Sequence, residues 1–414
     1  MKEEILAHLN DPRQLERLYR TNKTPFKRAF SALYPELSGN PLAEYWHERL
    51  HYESDEINRA SRKELLFVII AILVAGSIAK LPAILALDEE FFYSRNAGFI
   101  IFPVLSAYFA WKTKLSTAVI AFIGCTTLAA LLFINWLPGN NNSDSVVLSC
   151  IHLLLILWFL TGLAFVGAPA DNTEKRLHFL SYNGDLLVMT TLIVIAGGIL
   201  SGVTIGLFSL IGLRIEEWYM QNVVVFGLPA APIIGTFLTQ TNPQLVGKVS
   251  PVIAKIFSPL VLLMLVIYLT AIIYSGKDPY NDREFLLVFN VLLIGVMAII
   301  FFSVAETTRI TKSKAEVWVL TLLSVVTLIV NGIALSAILF RISAWGLTPN
   351  RAAVLGSNLL ILIHLLLVTG QLNRVLTKKT DISGVGKVIA WYLPVYCLWA
   401  LCVTFLFPFL FAYR

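Results

Sequence analysis

Long apolar runs alternate with short polar stretches along most of this chain. From Leu65 onward there are eleven such runs, and a helix that crosses a bilayer needs ~20 residues. The runs span residues 65–87, 96–111, 115–137, 145–168, 184–213, 218–240, 251–275, 284–304, 316–340, 351–370 and 387–411. This pattern predicts an all-α polytopic bundle of about 11 transmembrane helices, with a transmembrane domain over residues 65–414.

The first 64 residues are polar and predict a separate helical cap. Short helices are expected over Glu3 to Asn10, Asp11 to Thr21, Thr24 to Tyr34 and Asn40 to Tyr52. Their apolar residues recur at helical spacing, so each helix has one apolar face. The segment 1–64 is too long and too charged to be the n-region of a signal peptide.

Composition places the chain in a membrane. Its 414 residues are 57% hydrophobic and 14% charged, whereas soluble domains carry about 25% charged residues. The net charge of +6 does not indicate nucleic acid, because the basic residues lie in short clusters between apolar runs. The four cysteines lie inside those runs without metal-type spacing. Neither a disulfide framework nor a metal or cofactor is expected.

The distribution of basic residues predicts an orientation, since Lys and Arg in short loops stay on the cytoplasmic side. Alternate loops carry most of them: Arg59, Arg62 and Lys63; Lys112 and Lys114; Lys175 and Arg176; Lys248; Arg309, Lys312 and Lys314; Arg374, Lys378, Lys379 and Lys387. The opposite loops are poorer in basic residues, with Arg95, Arg214, Lys277 and Arg283 scattered among acidic residues. We expect the N-terminus in the cytoplasm and the C-terminus outside.

Few polar side chains lie well inside the runs: Lys80, His152, Asn290, Asn331, Asn358 and His364. At ~1.5 Å rise per residue, the first five fall in the outer half of the membrane and His364 lies deeper. They are candidates for one polar cavity that holds a small molecule or a lipid. In the alternative interpretation the amides and His152 hydrogen-bond between helices, and Lys80 reaches the interface.

Glycine and proline single out two neighbouring runs. The fifth run has a small-xxx-small spacing at Gly198, Gly202 and Gly206. This spacing predicts close packing against another helix, with a role in lining a substrate path as the alternative. Near the middle of the sixth run lie Gly227, Pro229, Pro232 and Gly235. Such a cluster predicts a broken helix, which membranes tolerate where the freed backbone groups line a cavity.

The loop between the ninth and tenth runs carries the most specific local pattern. Trp345 suits the membrane interface, Gly346 suits positive φ, and Thr348 with Pro349 suits the cap and first turn of the next helix. Arg341 and Arg351 run against the orientation trend. They are expected either to bind an anionic headgroup or ligand, or to pair with an acidic side chain. The candidate acids are Glu216, Glu217, Asp282 and Glu284.

This loop resembles an Arg-Ile-x-x-aromatic-Gly-Leu-Thr-x-Asn-Arg pattern of one bacterial family of multi-pass membrane proteins. The family is known as domain of unknown function forty-one fifty-three. The matching positions are Arg341, Ile342, Trp345, Gly346, Leu347, Thr348, Asn350 and Arg351. Trp345 replaces an expected tyrosine, and the similarity covers the membrane region better than residues 1–64. The resemblance implies a protein of the bacterial inner membrane and supplies no activity.

Two functional classes remain open. A transporter or permease-like protein is favoured by the polar residues and by the glycine and proline cluster of the sixth run. A non-catalytic membrane scaffold or envelope sensor is the alternative, in which residues 1–64 bind a cytoplasmic partner. A membrane-embedded enzyme ranks third. The sequence lacks the catalytic motifs His-Glu-x-x-His, Gly-x-x-x-x-Gly-Lys and Gly-x-Ser-x-Gly, which argues against this interpretation.

Overall fold

The computed structural model describes residues 1–37, 39–56, 62–138, 143–167, 172–210, 214–242, 258–263, 265–267, 269–270, 280, 283–307 and 314–413. All regular structure in these residues is helical, as the sequence predicts. The chain forms two compact units, Met1–Glu64 and Leu65–Arg414.

Short helices around an aromatic core form the first unit. In its described residues they are α1 Lys2–Ala7, α2 Pro12–Thr21, α3 Lys23–Leu33 and α4 Pro41–Glu56. Asp11 caps α2, because its Oδ1 accepts the backbone N–H groups of Arg13 at 3.0 Å and Gln14 at 3.2 Å. The core packs Phe26 against Trp46, with ring centroids 5.3 Å apart. Buried aromatic rings of this kind supply much of the stability of a small unit.

Longer helices form the second unit. Those described are α5 Arg62–Ala79, α6 Leu81–Leu85, α7 Glu89–Lys112, α8 Thr117–Trp136, α9 Asp144–Val166, α10 Thr173–Leu210, α11 Glu216–Tyr219, α12 Val225–Thr241, α13 Arg283–Thr307, α14 Lys314–Trp345, α15 Pro349–Leu376, α16 Ile382–Phe405 and α17 Phe407–Leu410. A π-helical segment, Met220–Val224, joins α11 to α12. The predicted run 251–275 lies largely outside the described residues.

Several helix boundaries differ from the predicted ones. α10 begins at Thr173 rather than at residue 184, because polar residues form its first turns. α7 begins at Glu89 rather than at residue 96, with Asp88 as its cap. The predicted run 65–87 is divided: α5 ends at Ala79, and Pro82 lies in the first turn of α6, where a missing N–H is tolerated.

Seven helices in the described residues are long and apolar enough to cross a membrane. They comprise α8, α9, residues 173–205 of α10, the stretch from α11 through α12, and α14 to α16. α5 is not among them because its 18 residues include Arg62, Lys63 and Glu64. Two further apolar stretches, Ser258–Ile267 and Asn290–Ala305, are shorter. The predicted count of eleven is therefore not confirmed.

The sixth predicted run is not broken at its middle. Gly227, Pro229, Pro232 and Gly235 all lie within the continuous helix α12, so the prediction of a break there is wrong. The irregular segment is the π-helical turn at Met220–Val224, which precedes α12. Pro229 and Pro232 have no N–H to donate to the carbonyls four residues earlier, those of Val225 and Leu228. Membrane helices tolerate such prolines because neighbouring helices, hydroxyl side chains and local backbone adjustments satisfy the freed groups.

The predicted packing of the glycine stripe on α10 is not formed with any described residue. No described atom lies within 4 Å of the position that a Cβ would take at Gly198 or Gly202. Gly206 belongs to α10, but its surroundings lie outside the described residues. The close approach on this helix is instead at Gly184, where a Cβ would overlap the ring of Phe302.

Two apolar cores fill the second unit. One lies mainly among α5, α7, α8 and α9, and the other among α13, α14, α15 and α16. A smaller cluster, Leu148, Ala353, Val403 and Phe407, joins the start of α9, the start of α15 and the end of α16. These termini lie at the same end of the bundle as the α14–α15 loop. We call it the loop end.

Candidate functional site: buried polar rows on α14 and α15

Three asparagines from three helices meet in the second core. Asn358 Nδ2 of α15 donates to Asn290 Oδ1 of α13 at 2.8 Å. Asn331 Nδ2 of α14 donates to the backbone carbonyl of Asn358 at 3.2 Å. Asn331 is fully buried, at 0% exposure, and its Oδ1 has no hydrogen-bond partner in the described residues. The structure thus brings together three of the polar residues that the sequence singles out.

His364 lies deeper on α15 and is enclosed by aromatic rings. Its ring centroid is 4.4 Å from that of Tyr392 and 4.6 Å from that of Phe301. Its Nδ1 lies 3.1 Å from the hydroxyl of Tyr396, and this hydroxyl lies 3.7 Å from the sulfur of Met297. When the Tyr396 hydroxyl donates to the sulfur, the imidazole carries its hydrogen on Nδ1. His364 Nε2, which has no partner in the described residues, is then a bare acceptor.

Two further buried atoms of α15 have no hydrogen-bond partner in the described residues: Thr369 Oγ1 and Gln371 Oε1. Helix periodicity places Thr369 on the face of Asn358, and Gln371 on the face of His364. From Asn358 to Gln371 these groups extend over ~20 Å at ~1.5 Å per residue. The hydrocarbon core of a bilayer is ~30 Å thick. We call Asn331, Asn358, His364, Thr369 and Gln371 the polar rows.

α14 adds hydroxyl groups to the same core. Thr321, Ser324 and Thr327 are buried and repeat on one face of the helix with Asn331. Each hydroxyl donates to a carbonyl of its own helix; Thr327, for example, donates to Leu323 at 2.6 Å. A hydroxyl oxygen that donates in this way keeps its acceptor lone pairs. These side chains therefore offer more acceptors along α14.

The α14–α15 loop takes the local form that its sequence predicts. α14 ends at Trp345, and Gly346 has a φ of +77°. Thr348 Oγ1 accepts the backbone N–H of Arg351 at 3.3 Å, and Pro349 is the first residue of α15. The predicted turn and helix cap are confirmed.

Both arginines of this loop flank Trp345, with each guanidinium carbon 5.7 Å from a ring centroid of the indole. Arg351 Nη1 donates to the carbonyls of Trp345 at 3.0 Å and Gly346 at 2.6 Å, where the end of a helix leaves carbonyls unpaired. Arg341 is 8% exposed, and its Nε donates to the Tyr280 carbonyl at 2.8 Å. Among the described residues, Arg351 thus contacts backbone carbonyls rather than the expected acids.

Two polar residues from the sequence lie elsewhere. His152 Nδ1 is 2.9 Å from the Leu148 carbonyl, so its described contact is with its own helix, α9. Lys80 Nζ donates to Asn222 Oδ1, which belongs to the π-helical segment. In the described residues, the polar rows therefore meet Asn290 but neither His152 nor Lys80.

Four residues with polar roles are not predicted from the sequence. Thr369, Gln371 and Tyr396 belong to the polar site, and Arg95 caps a helix. Arg95 caps the end of α8 by donating to the carbonyls of Ile134, Leu137 and Pro138 at 2.6 to 3.0 Å. The sequence does not predict this role, because the second apolar run starts at residue 96 and places Arg95 in the preceding loop. Thr369 and Gln371 could be recognised from their spacing, since helix periodicity places them on the faces of Asn358 and His364.

No group of three or more His, Cys, Asp or Glu side chains that could hold a metal ion occurs in the part of the chain described. No family model, curated protein or solved structure matches the chain. The family resemblance of the loop therefore stays an expectation.

Proposed function

We propose that the chain is a permease-like membrane transport protein and that the polar rows form the path of a small solute. The supporting observation is the set of four buried atoms without a hydrogen-bond partner among the described residues: Asn331 Oδ1, His364 Nε2, Thr369 Oγ1 and Gln371 Oε1. Each such atom costs roughly 1–3 kcal/mol when it stays unsatisfied. A solute that donates hydrogen bonds offsets this cost as it passes.

The chemistry of the rows narrows the solute class. Amide oxygens, hydroxyl oxygens and a neutral imidazole nitrogen all accept hydrogen bonds. They suit a neutral or zwitterionic solute with several N–H or O–H groups.

Uptake into proteoliposomes that contain the full chain tests this proposal. The probes are radiolabelled glycine, urea and acetate; glycine and urea carry N–H donors, and acetate has none. We expect uptake of glycine or urea above that of empty liposomes and no uptake of acetate. Asn331→Leu and His364→Phe each remove an acceptor, so each should lower the flux about tenfold, the effect of ~1.4 kcal/mol.

Gly332→Leu is the matched control for this experiment. Gly332 is adjacent to Asn331, and no described atom lies within 4 Å of its Cβ position. This variant should therefore keep the flux of the unchanged protein. All variants are compared after they elute from a sizing column as the unchanged protein does. The absence of flux for every probe, or equal flux through Asn331→Leu, would contradict the polar path.

The same proposal includes a location, the bacterial inner membrane with the N-terminus in the cytoplasm and the C-terminus outside. The distribution of basic residues supports it. Lys112, Lys175 and Arg374 lie at helix ends opposite the loop end, and such residues stay on the cytoplasmic side. The loop end, with Arg341 and Arg351, then faces outward.

A groove on the first unit favours a second candidate function, a scaffold that binds an acidic partner. The groove has a volume of about 630 Å³, and its lining includes Arg13, Arg20, Arg49 and Tyr45. One carboxylate, Glu16, lines it together with these arginines, so positive charge exceeds negative charge. Guanidinium groups bind carboxylates in forked pairs, and complementary charge favours an acidic segment as partner.

A further inference from the structure

An open groove of about 520 Å³ runs between α7 and α8. It belongs to the apolar core among α5, α7, α8 and α9, whereas the polar rows lie in the other core. Its lining is almost wholly apolar and includes Phe99, Pro103, Ala110, Ile123 and Leu128. Ser106, which also lines it, is engaged with Thr161 of α9 at 2.9 Å. The middle of the groove therefore offers contacts for a hydrocarbon chain and little for a polar solute.

Small residues of both helices line the groove: Ser106, Ala107 and Ala110 of α7 and Gly124 of α8. On the α9 side, a Cβ at Gly98 would lie 2.7 Å from Leu154 and 2.8 Å from Leu157, so these helices are in close contact. On the α8 side, no described atom lies within 4 Å of the Cβ position of Gly124. Gly124 is exposed and lines the groove, so the space beside it is open to a ligand.

The groove becomes polar as it continues to the loop end. A second groove of about 820 Å³ shares Phe92, Asn96 and Leu131 with the first and adds Asp88 and Trp136 to the lining. The amides of Asn96 and Asn135 bond reciprocally, at 3.0 and 2.8 Å. Gly98 of α7 lies beside Leu154 of α9, and Ser106 bonds to Thr161 further along both helices, so α7 and α9 run parallel. The start of α7, and with it this polar part, is therefore at the loop end, where α9 also starts. An apolar groove with one polar end fits an amphiphilic molecule.

We propose that this continuous groove binds one acyl chain of an ethanolamine phospholipid, with the headgroup ammonium at Asp88. Asp88 alone is charged among the described residues that line the loop-end part. One of its oxygens accepts the backbone N–H of Phe91 at 2.7 Å, which leaves the other for a cation. Trp136, which is 71% exposed, suits the headgroup level.

The length of the groove agrees with this occupant. From Asn96 to Ala110, both of which line it, α7 rises ~21 Å at ~1.5 Å per residue. One leaflet accounts for half of a hydrocarbon core ~30 Å thick. An extended acyl chain that starts at the loop end therefore fits along α7. The site does not depend on the proposed transport function, because none of its lining residues belongs to the polar rows.

Native mass spectrometry of the full-length protein tests the acyl-chain site. The purified protein is delipidated, incubated in detergent with phosphatidylethanolamine, phosphatidylglycerol or phosphatidylcholine, and measured for retained lipid. We expect one retained phosphatidylethanolamine. Gly124→Leu places a larger side chain in the groove at a position where a Cβ meets no described atom, and it should lower retention about tenfold, the ratio that ~1.4 kcal/mol gives. Gly370→Leu, at an open position of α15, should retain lipid unchanged. Equal retention of lipid by both variants would overturn the proposed acyl-chain site.

Asp88→Asn tests the headgroup assignment separately. The substitution keeps a side-chain oxygen for the cap of α7 and removes the negative charge. The unchanged protein should retain phosphatidylethanolamine in preference to phosphatidylglycerol, and Asp88→Asn should lose this preference. If the unchanged protein retains all three phospholipids equally, or if Asp88→Asn keeps the preference, the assignment of the ammonium to Asp88 is overturned.

Discussion

Glu16 is the residue on which charges of the first unit converge. Arg20 Nε donates to its Oε1 at 2.7 Å, and Arg49 Nη2 lies 3.0 Å from its Oε2. The hydrogen bond from Arg20 lowers the pKa of Glu16; burial opposes this shift, and the charge of Arg49 adds to it. A carboxylate with a lowered folded-state pKa stabilises the fold above its unfolded pKa. That stabilisation is lost as the pH falls through the lowered value.

We therefore expect part of the stability of the first unit to be lost below about pH 4.5 and to be present at pH 7. Glu16→Gln should remove roughly 0.2–1 kcal/mol at pH 7, since solvent screens exposed ion pairs. Arg20 and Arg49 are 77% and 47% exposed. Hydrogen exchange of α2 and α4 in the full chain measures the change. Glu36→Gln, at an exposed glutamate, is the control, and equal acid sensitivity of both variants would contradict the role of Glu16.

Individual polar residues of the site could be recognised from the sequence, but their partners could not. Asn331 and Asn358 stand out because amides are rare in apolar runs, and they do meet. His152 gave the same signal, yet its described bond is to its own helix. The difference lies in the rotation of each helix about its axis, which depends on packing against the neighbours. Composition and spacing do not contain that angle.

At the scale of helices, α10 and α13 are in close contact at Gly184. A Cβ at this position would overlap the ring of Phe302. Gly184→Ala should therefore destabilise the full chain by about 1–3 kcal/mol, the usual cost of overpacking. Gly197→Ala on the same helix meets no described atom within 4 Å. It should be neutral or stabilise by roughly 0.5–1 kcal/mol, because alanine is the better helix former.

Thermal unfolding in detergent compares these two alanine variants. A second substitution, Phe302→Leu, removes the ring that the new methyl group meets, so it should restore part of the stability lost in Gly184→Ala. The same substitution alone tests the effect of losing the ring. Equal unfolding temperatures for Gly184→Ala and Gly197→Ala would show that the contact is not tight.

Helices were predicted well where the apolar pattern is continuous and poorly where it is not. α8 and α9 lie within a few residues of their predicted bounds, because their ends coincide with polar residues. α10 was predicted too short, since its first turns are polar yet helical. Pro229 and Pro232 predicted a break, but α12 passes through them. Neighbouring groups in the bundle decide whether proline interrupts a membrane helix, and these are tertiary contacts.

At the scale of the whole molecule, the chain combines two units with different chemistry. Residues 65–414 supply apolar helices with a few buried polar groups, and the first unit supplies a groove with excess guanidinium groups. The change in composition near residue 65 was visible in the sequence. The groove was not, because Arg13 and Arg49 lie on different helices and only the folded aromatic core brings them together. The scaffold function depends on this surface alone, so it can be tested apart from transport.

Arg13 is the residue through which to test it, since Arg20 and Arg49 are engaged with Glu16. The probe is a fluorescent glutamate-rich peptide added to the full chain in nanodiscs, with a lysine-rich peptide for comparison. Arg13→Glu should weaken glutamate-peptide binding about tenfold or more, because a charge-assisted hydrogen bond contributes roughly 1.5–3 kcal/mol. Arg17→Glu makes the same charge change one turn along α2, outside the groove, and should have a smaller effect.

Higher salt should weaken binding to the unchanged protein, since exposed charges are screened. Equal losses in the two variants would mean that net charge, rather than the groove, attracts the peptide.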